Sequence, residues 1–309
     1  MWLYRFTNEL LRRRWQSILF TFAITFIPII GMVGILIAAL VTLVKGMVEG
    51  AIFTLAATLP YLVSFFISGK QESGLPLMLL AAVGVAMLSN LLTWIFAVML
   101  RQKTGWSSLL QIVALAGVLV ISVIHLAYPD VADWWGQELQ NYYKHVQLFK
   151  DALQSSSASR DAQLESINVT KQYATGVMAT VILFNALFQL VMARWWQNIV
   201  FNTKNLGREL RSIRLSPLAG ILFITSLVLF YLGNSVVLDI MPILYTLFSV
   251  AGLSLIHYLF RSMPSPSTWF WLFLLYVALL ISWPTSMVLV STLALADIWL
   301  DIRKRIKKT

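Results

Sequence analysis

The side chains able to do chemistry in this sequence are few, and most stand inside or at the ends of long apolar runs. His125, Tyr128, Tyr231, Asn234 and Asp239 fall near run ends at similar depth, and Asn185 and Gln189 are four residues apart on one helix face. Asn90 and Gln111 stand singly in their own runs. Buried polar groups are costly in lipid, so they are expected to face a bundle interior or a water-filled cavity. Two roles follow. His125, Tyr128, Asn185, Gln189, Tyr231, Asn234 and Asp239 would line an outward-facing pocket for a small molecule, or they would act as interhelical hydrogen bonds and interfacial anchors.

Covalent and metal chemistry find little footing. The chain has no cysteine, so disulfides, thiolates and sulfur-ligated metals are excluded. His125, His145 and His257 lie in separate segments without paired-ligand spacing, and no metal or other cofactor is expected. Gly69-Lys70 resembles the end of a phosphate-binding loop, but Ser64 replaces the first glycine and Gln71 the magnesium-binding hydroxyl. No acid, base and nucleophile are paired, so an enzyme is not expected. Asp239 and Asp297 sit near span ends, which weighs against a proton- or sodium-coupled carrier.

The elements that must carry these residues follow from composition. Hydrophobic residues make up 59% of the 309, charged ones 12%, with a mean hydropathy of +0.79. Several apolar runs exceed the roughly 20 residues a helix needs to cross about 30 Å of hydrocarbon. A polytopic helical membrane protein follows, not a barrel. Its +10 charge reads as loop orientation, so no nucleic-acid partner is expected.

Apolar runs fall at 15–44, 47–67, 75–100, 106–128, 172–193, 218–238, 241–260 and 268–300. The basic N-terminus is expected to be an uncleaved anchor. The first and last runs are too long for single spans, and each holds a breaker: Pro28 with Gly31, and Pro284. If each run crosses once, 14 of the 23 Lys and Arg fall on the N-terminal side. If both double back, 18 of the 23 do, leaving only Lys70, Lys144, Lys150, Arg160 and Lys171 opposite. The positive-inside rule favours the second arrangement. The expected fold is all-α: a helical membrane bundle of eight to ten passes with two proline-broken terminal hairpins, in one membrane domain over 1–309. Both termini would be cytoplasmic in a bacterial inner membrane.

Two polar segments stand out. Residues 129–171 should form an extracytoplasmic insertion, with Trp135, Leu139, Tyr142, Val146, Phe149 and Leu153 as an amphipathic stripe and SSSAS at 155–159 as a linker. That helix would lie in the headgroup layer or cover an outward cavity. Residues 194–217 form a basic cytoplasmic segment. Leu206, Leu210 and Ile213 share a face in a helix expected over 205–215, and Trp195 and Trp196 mark the interface. Arg194, Trp195, Trp196, Arg208, Arg211 and Arg214 are candidates for adhesion to an anionic inner leaflet or for docking a protein partner. Small-residue spacings at Gly34 to Ala38 and Ala82 to Ala86 should allow close helix packing.

Ala193-Arg194-Trp195-Trp196-Gln197, with Phe201-Asn202, Gly207, Glu209-Leu210 and Ile213-Arg214-Leu215, resembles a segment of the YybS-like family of uncharacterised bacterial inner-membrane proteins. Thr203-Lys204-Asn205 departs from that family's tight turn. The resemblance implies a distant likeness to the substrate-binding subunits of energy-coupling-factor transporters, which work with separate ATPase or coupling subunits. The leading expectation is therefore a non-enzymatic membrane subunit that binds a small molecule and is energised by partners. The rival is a scaffold or assembly factor that binds other membrane proteins without a small ligand.

Overall fold

The computed structural model describes residues 2–27, 30–68, 76–152, 160–203, 206–262, 267–282 and 285–306. They form fifteen helices and no strand: α1 (Trp2–Arg12), α2 (Arg14–Thr25), α3 (Met32–Lys45), α4 (Met47–Ser68), α5 (Pro76–Arg101), α6 (Trp106–Ala127), α7 (Val131–Ala152), α8 (Arg160–Thr170), α9 (Ala174–Phe201), α10 (Leu206–Arg211), α11 (Pro217–Tyr231), α12 (Ser235–Ser262), α13 (Thr268–Ile281), α14 (Thr285–Leu300) and α15 (Ile302–Ile306). Five of them, α4, α5, α6, α9 and α12, are long and apolar enough to cross a membrane. Shorter apolar helices include α3, α11, α13 and α14. The fold is an all-α polytopic membrane bundle, as the apolar runs predict.

The chain divides into two compact units, Met1–Leu109 with Val181–Ser212 and Leu110–Thr180 with Ile213–Thr309. In the first unit, α2 and α3 double back on each other. Ser17, Thr21 and Thr25 form a buried stripe at four-residue spacing, and their hydroxyls donate to the carbonyls of Leu10, Ser17 and Thr21 at 2.8 Å. Satisfied hydroxyls leave a small, low surface, and Gly34 of α3 packs directly on Thr25. At the far end Lys45 donates to the Leu11 carbonyl and Arg14 pairs with Glu49 at 3.2 Å. Contacts at both ends make the pair antiparallel. Pro28 and Pro284, the residues expected to break the terminal runs, lie outside the described residues, but the helices do end at Thr25 and Ile281 and restart at Met32 and Thr285.

Gly46, in the left-handed region at φ 119°, turns the chain from α3 into α4. α4 and α5 run antiparallel, since Trp94 Nε1 donates to the Met47 carbonyl at 3.0 Å while Asn90 Nδ2 lies 3.2 Å from Thr58 Oγ1. Ala38 is fully buried in the core of this unit, whereas Ala82 is exposed, so only the first small-residue spacing is a packing seam.

In the second unit α12 and α14 run parallel, with Ser249 Oγ 3.1 Å from Ser291 Oγ and the Tyr258 hydroxyl donating to the Arg303 carbonyl at 3.3 Å. Parallel neighbours joined through α13 require the last run to double back too. Here two boundaries differ from those expected. The break expected near residue 239 falls at Gly233 (φ 76°), and Asn234 Oδ1 accepts the Val237 amide at 3.1 Å to start α12. Asp239 therefore sits in the second turn of α12, near the start of that span instead of in the link between two spans. The basic helix expected over 205–215 spans only Leu206–Arg211. Pro217 holds Ser216 extended at ψ 157°, and the Ile213 carbonyl accepts from Arg303 at 2.7 Å and Ser254 at 3.1 Å instead of from a helical amide.

Of the amphipathic stripe, α7 carries Trp135 and Leu139 half-buried and Tyr142 exposed. The side chains of Val146 and Phe149, all of Leu153, and the 155–159 linker lie outside the described residues.

Candidate functional site

In the second unit the ends of α6 and α12 and the first turn of α9 meet. His125, in the last turn of α6, places Nε2 3.0 Å from Asp239 Oδ2. The other oxygen of Asp239 accepts the Gly176 amide at 2.6 Å. That amide belongs to the first turn of α9, whose leading N–H groups have no partner within their own helix. A carboxylate at this position satisfies a free donor and complements the positive end of the helix dipole. Asp239 and His125 are nearly inaccessible, with side chains 3% and 10% exposed. Gly176 is required by the approach, since a Cβ there would land on the Asp239 carbonyl. Beside this junction Trp135 Nε1 donates to Thr175 Oγ1 at 3.0 Å, and Lys171 pairs with Asp133 at 2.8 Å. One acid thus binds three helices.

The other pocket candidates lie elsewhere. Tyr128 and Tyr231 are 70% and 91% exposed, and Asn234 is an exposed helix cap. Asn185 and Gln189 belong to the first unit. There Gln189 Oε1 lies 2.6 Å from the Thr93 hydroxyl and its amide donates to Asn185 Oδ1 at 3.2 Å. Thr93 is fully buried and Gln189 nearly so. Gln111, in the second unit, accepts from the Ser216 hydroxyl at 2.5 Å, and His257 lies 2.6 Å from the Tyr276 hydroxyl. Among the described residues no group of three potential metal ligands occurs.

The docking candidates differ in burial and in the bonds they make. Arg194 grips Glu209 with two nitrogens, at 2.7 Å and 3.3 Å, and donates to Gln197 Oε1 at 2.6 Å. Trp106 Nε1 donates to the same carboxylate at 3.0 Å. Burial pushes the Glu209 carboxyl up, but the hydrogen bonds from Arg194 and Trp106 and the Arg194 charge outweigh it and hold it below the usual range. Trp196 is buried, donating to Thr7 Oγ1 at 2.9 Å and stacking on Phe6 at 6.2 Å. The RWWQ run is therefore a clasp joining α1, α9 and α10. Trp195 is 51% exposed and Arg208 is exposed. Arg211 is half-buried in α10.

Arg214, in the second unit, donates to the Asp297 and Ile298 carbonyls at 2.9 and 3.1 Å and pairs with Asp301, a cation on the closing turn of α14. Asp301 is held below the usual carboxylate range by Lys304 and Arg214. Beside it, Arg303 pairs with the buried Asp297 at 3.0 Å and lies over the Tyr258 ring.

The sequence alone assigns no role to Gly176, Thr93 or Thr7, and marks Glu209 only as part of the family-like segment. Leu232-Gly233-Asn234-Ser235, a helix-ending glycine followed by a capping asparagine, is a readable signal that would have moved Asp239 into its helix. The partners of Thr93 and Thr7 carry no comparable local mark.

Residues 16–298 match the model of a family described as "Predicted membrane protein (DUF2232)". No curated protein and no solved structure matches the chain. With the match extending from the first hairpin to the end of the last, the chain belongs to the DUF2232 family of predicted membrane proteins.

Proposed function

We propose that this protein is a non-enzymatic scaffold or assembly subunit of the bacterial inner membrane, working through protein partners and not through capture of a small molecule. The observation that carries this reading is that the polar side chains best suited to a ligand bond to one another. Asp239 is occupied by His125 and Gly176, and Gln189 by Thr93 and Asn185. A ligand would have to displace buried bonds worth roughly 1 kcal/mol or more each. The rival reading, a substrate-binding subunit energised by an ATPase, draws on the distant transporter resemblance alone, and such fold-level analogy is a poor guide to function.

Orientation belongs to the same proposal. In the first unit Arg14, Lys45, Arg101 and Arg194 gather where α2 starts, α3 and α5 end and α9 nears its end, and in the second Arg214 and Arg303 gather at the end of α14. Cationic helix ends favour the cytoplasmic leaflet. Both termini then face the cytoplasm, and Trp195 and Arg208 face a partner there.

The test is photo-crosslinking from positions 195 and 208 in native membranes, with mass spectrometry of the protein and small-molecule fractions. The proposal expects a defined protein adduct, weakened by Arg194→Gln, and no enriched metabolite. A metabolite that copurifies with the wild type and is lost in Asp239→Asn, or copurifying ATPase subunits, would favour the transporter reading instead.

A further inference from the structure

We propose that the open groove on α1, lined by Arg5, Asn8, Glu9, Leu11 and Arg12, is a headgroup site for an acidic phospholipid. α1 is amphipathic, and its inner face is fixed: Thr7 and Leu10 are buried, and Trp196 bonds Thr7 and stacks on Phe6. Its outer face exposes Arg5, Asn8 and Arg12 at helical spacings of three and four. Arg5 and Arg12 stand two turns apart, about 10.5 Å along the axis, which leaves room for a phosphodiester between them.

The cations of the neighbourhood divide into engaged and available. Arg13 pairs with Glu9 at 3.0 Å and Arg14 with Glu49 at 3.2 Å. Neither Arg5 nor Arg12 has an acidic partner among the described residues. Glu9 lines the same groove, and Arg13 offsets its charge. Lys45 donates to the backbone carbonyl of Leu11, one of the residues that line the groove. Trp2, at the start of α1, and Trp15, just past its end, are 75% and 73% exposed and are suited to the headgroup layer. Those exposed aromatics favour a lipid over a soluble anion. The segment expected to hold lipid, 194–217, uses Arg194 and Arg214 internally, so α1 is the better-supplied surface.

The full-length protein is tested in phosphatidylcholine nanodiscs with and without phosphatidylglycerol, reading phosphatidylglycerol enrichment by native mass spectrometry. At about 1 kcal/mol per cation, Arg5→Gln with Arg12→Gln should reduce enrichment roughly thirtyfold, while Arg261→Gln, at an exposed cation closing α12, leaves it unchanged. If the double variant fails to stay monodisperse, the single variants carry the test, each with a loss of roughly fivefold. Wild-type enrichment in the variants, an equal loss in Arg261→Gln, or displacement by an acidic peptide without lipid preference would each overturn the proposal.

Discussion

His125 Nε2 and Asp239 Oδ2 meet at 3.0 Å although 114 residues separate them, and the second carboxylate oxygen closes on the Gly176 amide. This junction fastens α6, α9 and α12 through one side chain. Asp239→Ala strands a histidine and a helix-terminal amide, and should destabilise the detergent-solubilised protein by about 3 kcal/mol. His125→Leu with Asp239→Leu should cost less than the sum of the single changes, because the partners are removed together. Chemical unfolding of the four proteins measures this, and strict additivity would remove the coupling.

Gly176→Ala should unfold the same junction, because the new methyl meets backbone that cannot move aside. Gly84→Ala is the contrast: nothing lies within 4 Å of a Cβ there, and an alanine favours the helix by roughly 1 kcal/mol. Thermal melting should fall for the first and hold or rise for the second.

Glu209 supplies a pH signature. Its folded carboxyl lies below the ordinary value of 4.5, so its stabilisation is fully present above that value and is lost as pH falls through the folded value. Melting temperature should be flat above about pH 5 and decline below the ordinary carboxylate range. Glu209→Gln should be less stable at neutral pH by about 2 kcal/mol, melt at a lower temperature, and lose part of that acid decline.

What the sequence disclosed depended on whether the cause was local. The terminal hairpins were legible because breakers interrupt runs too long to be single spans, and the helix boundaries fall where Pro28, Gly31 and Pro284 predict. The helix expected over 205–215 stops at Arg211 because the chain beyond it is held by Arg303, 90 residues away from the Ile213 carbonyl to which it donates. Asp239 falls inside α12 and not in a link between spans because Asn234 caps that helix five residues earlier. The four-residue spacing of Asn185 and Gln189 does put them on one face, but Thr93 lies 96 residues from Gln189 and no spacing announces it. Polar residues could be found; their partners could not.

Thr93→Val tests the first unit's network. Interhelical bonds of this kind average about 0.6 kcal/mol, so a small loss is expected, larger if Gln189 is left with a buried unpaired oxygen. Gln189→Leu on top of Thr93→Val should restore part of it. Unfolding curves of the three variants check the order.

The doubled-back termini are the claim on which orientation, partner face and lipid groove all rest. Because the chain has no cysteine, single substitutions report sidedness directly. Arg208→Cys and Lys304→Cys should be labelled only from the cytoplasm by a membrane-impermeant maleimide, and Phe26→Cys and Ser282→Cys, at the hairpin tips, should not. Labelling of Lys304→Cys from the periplasm, with Arg208→Cys still cytoplasmic, would mean that the last run crosses once, and would contradict that claim.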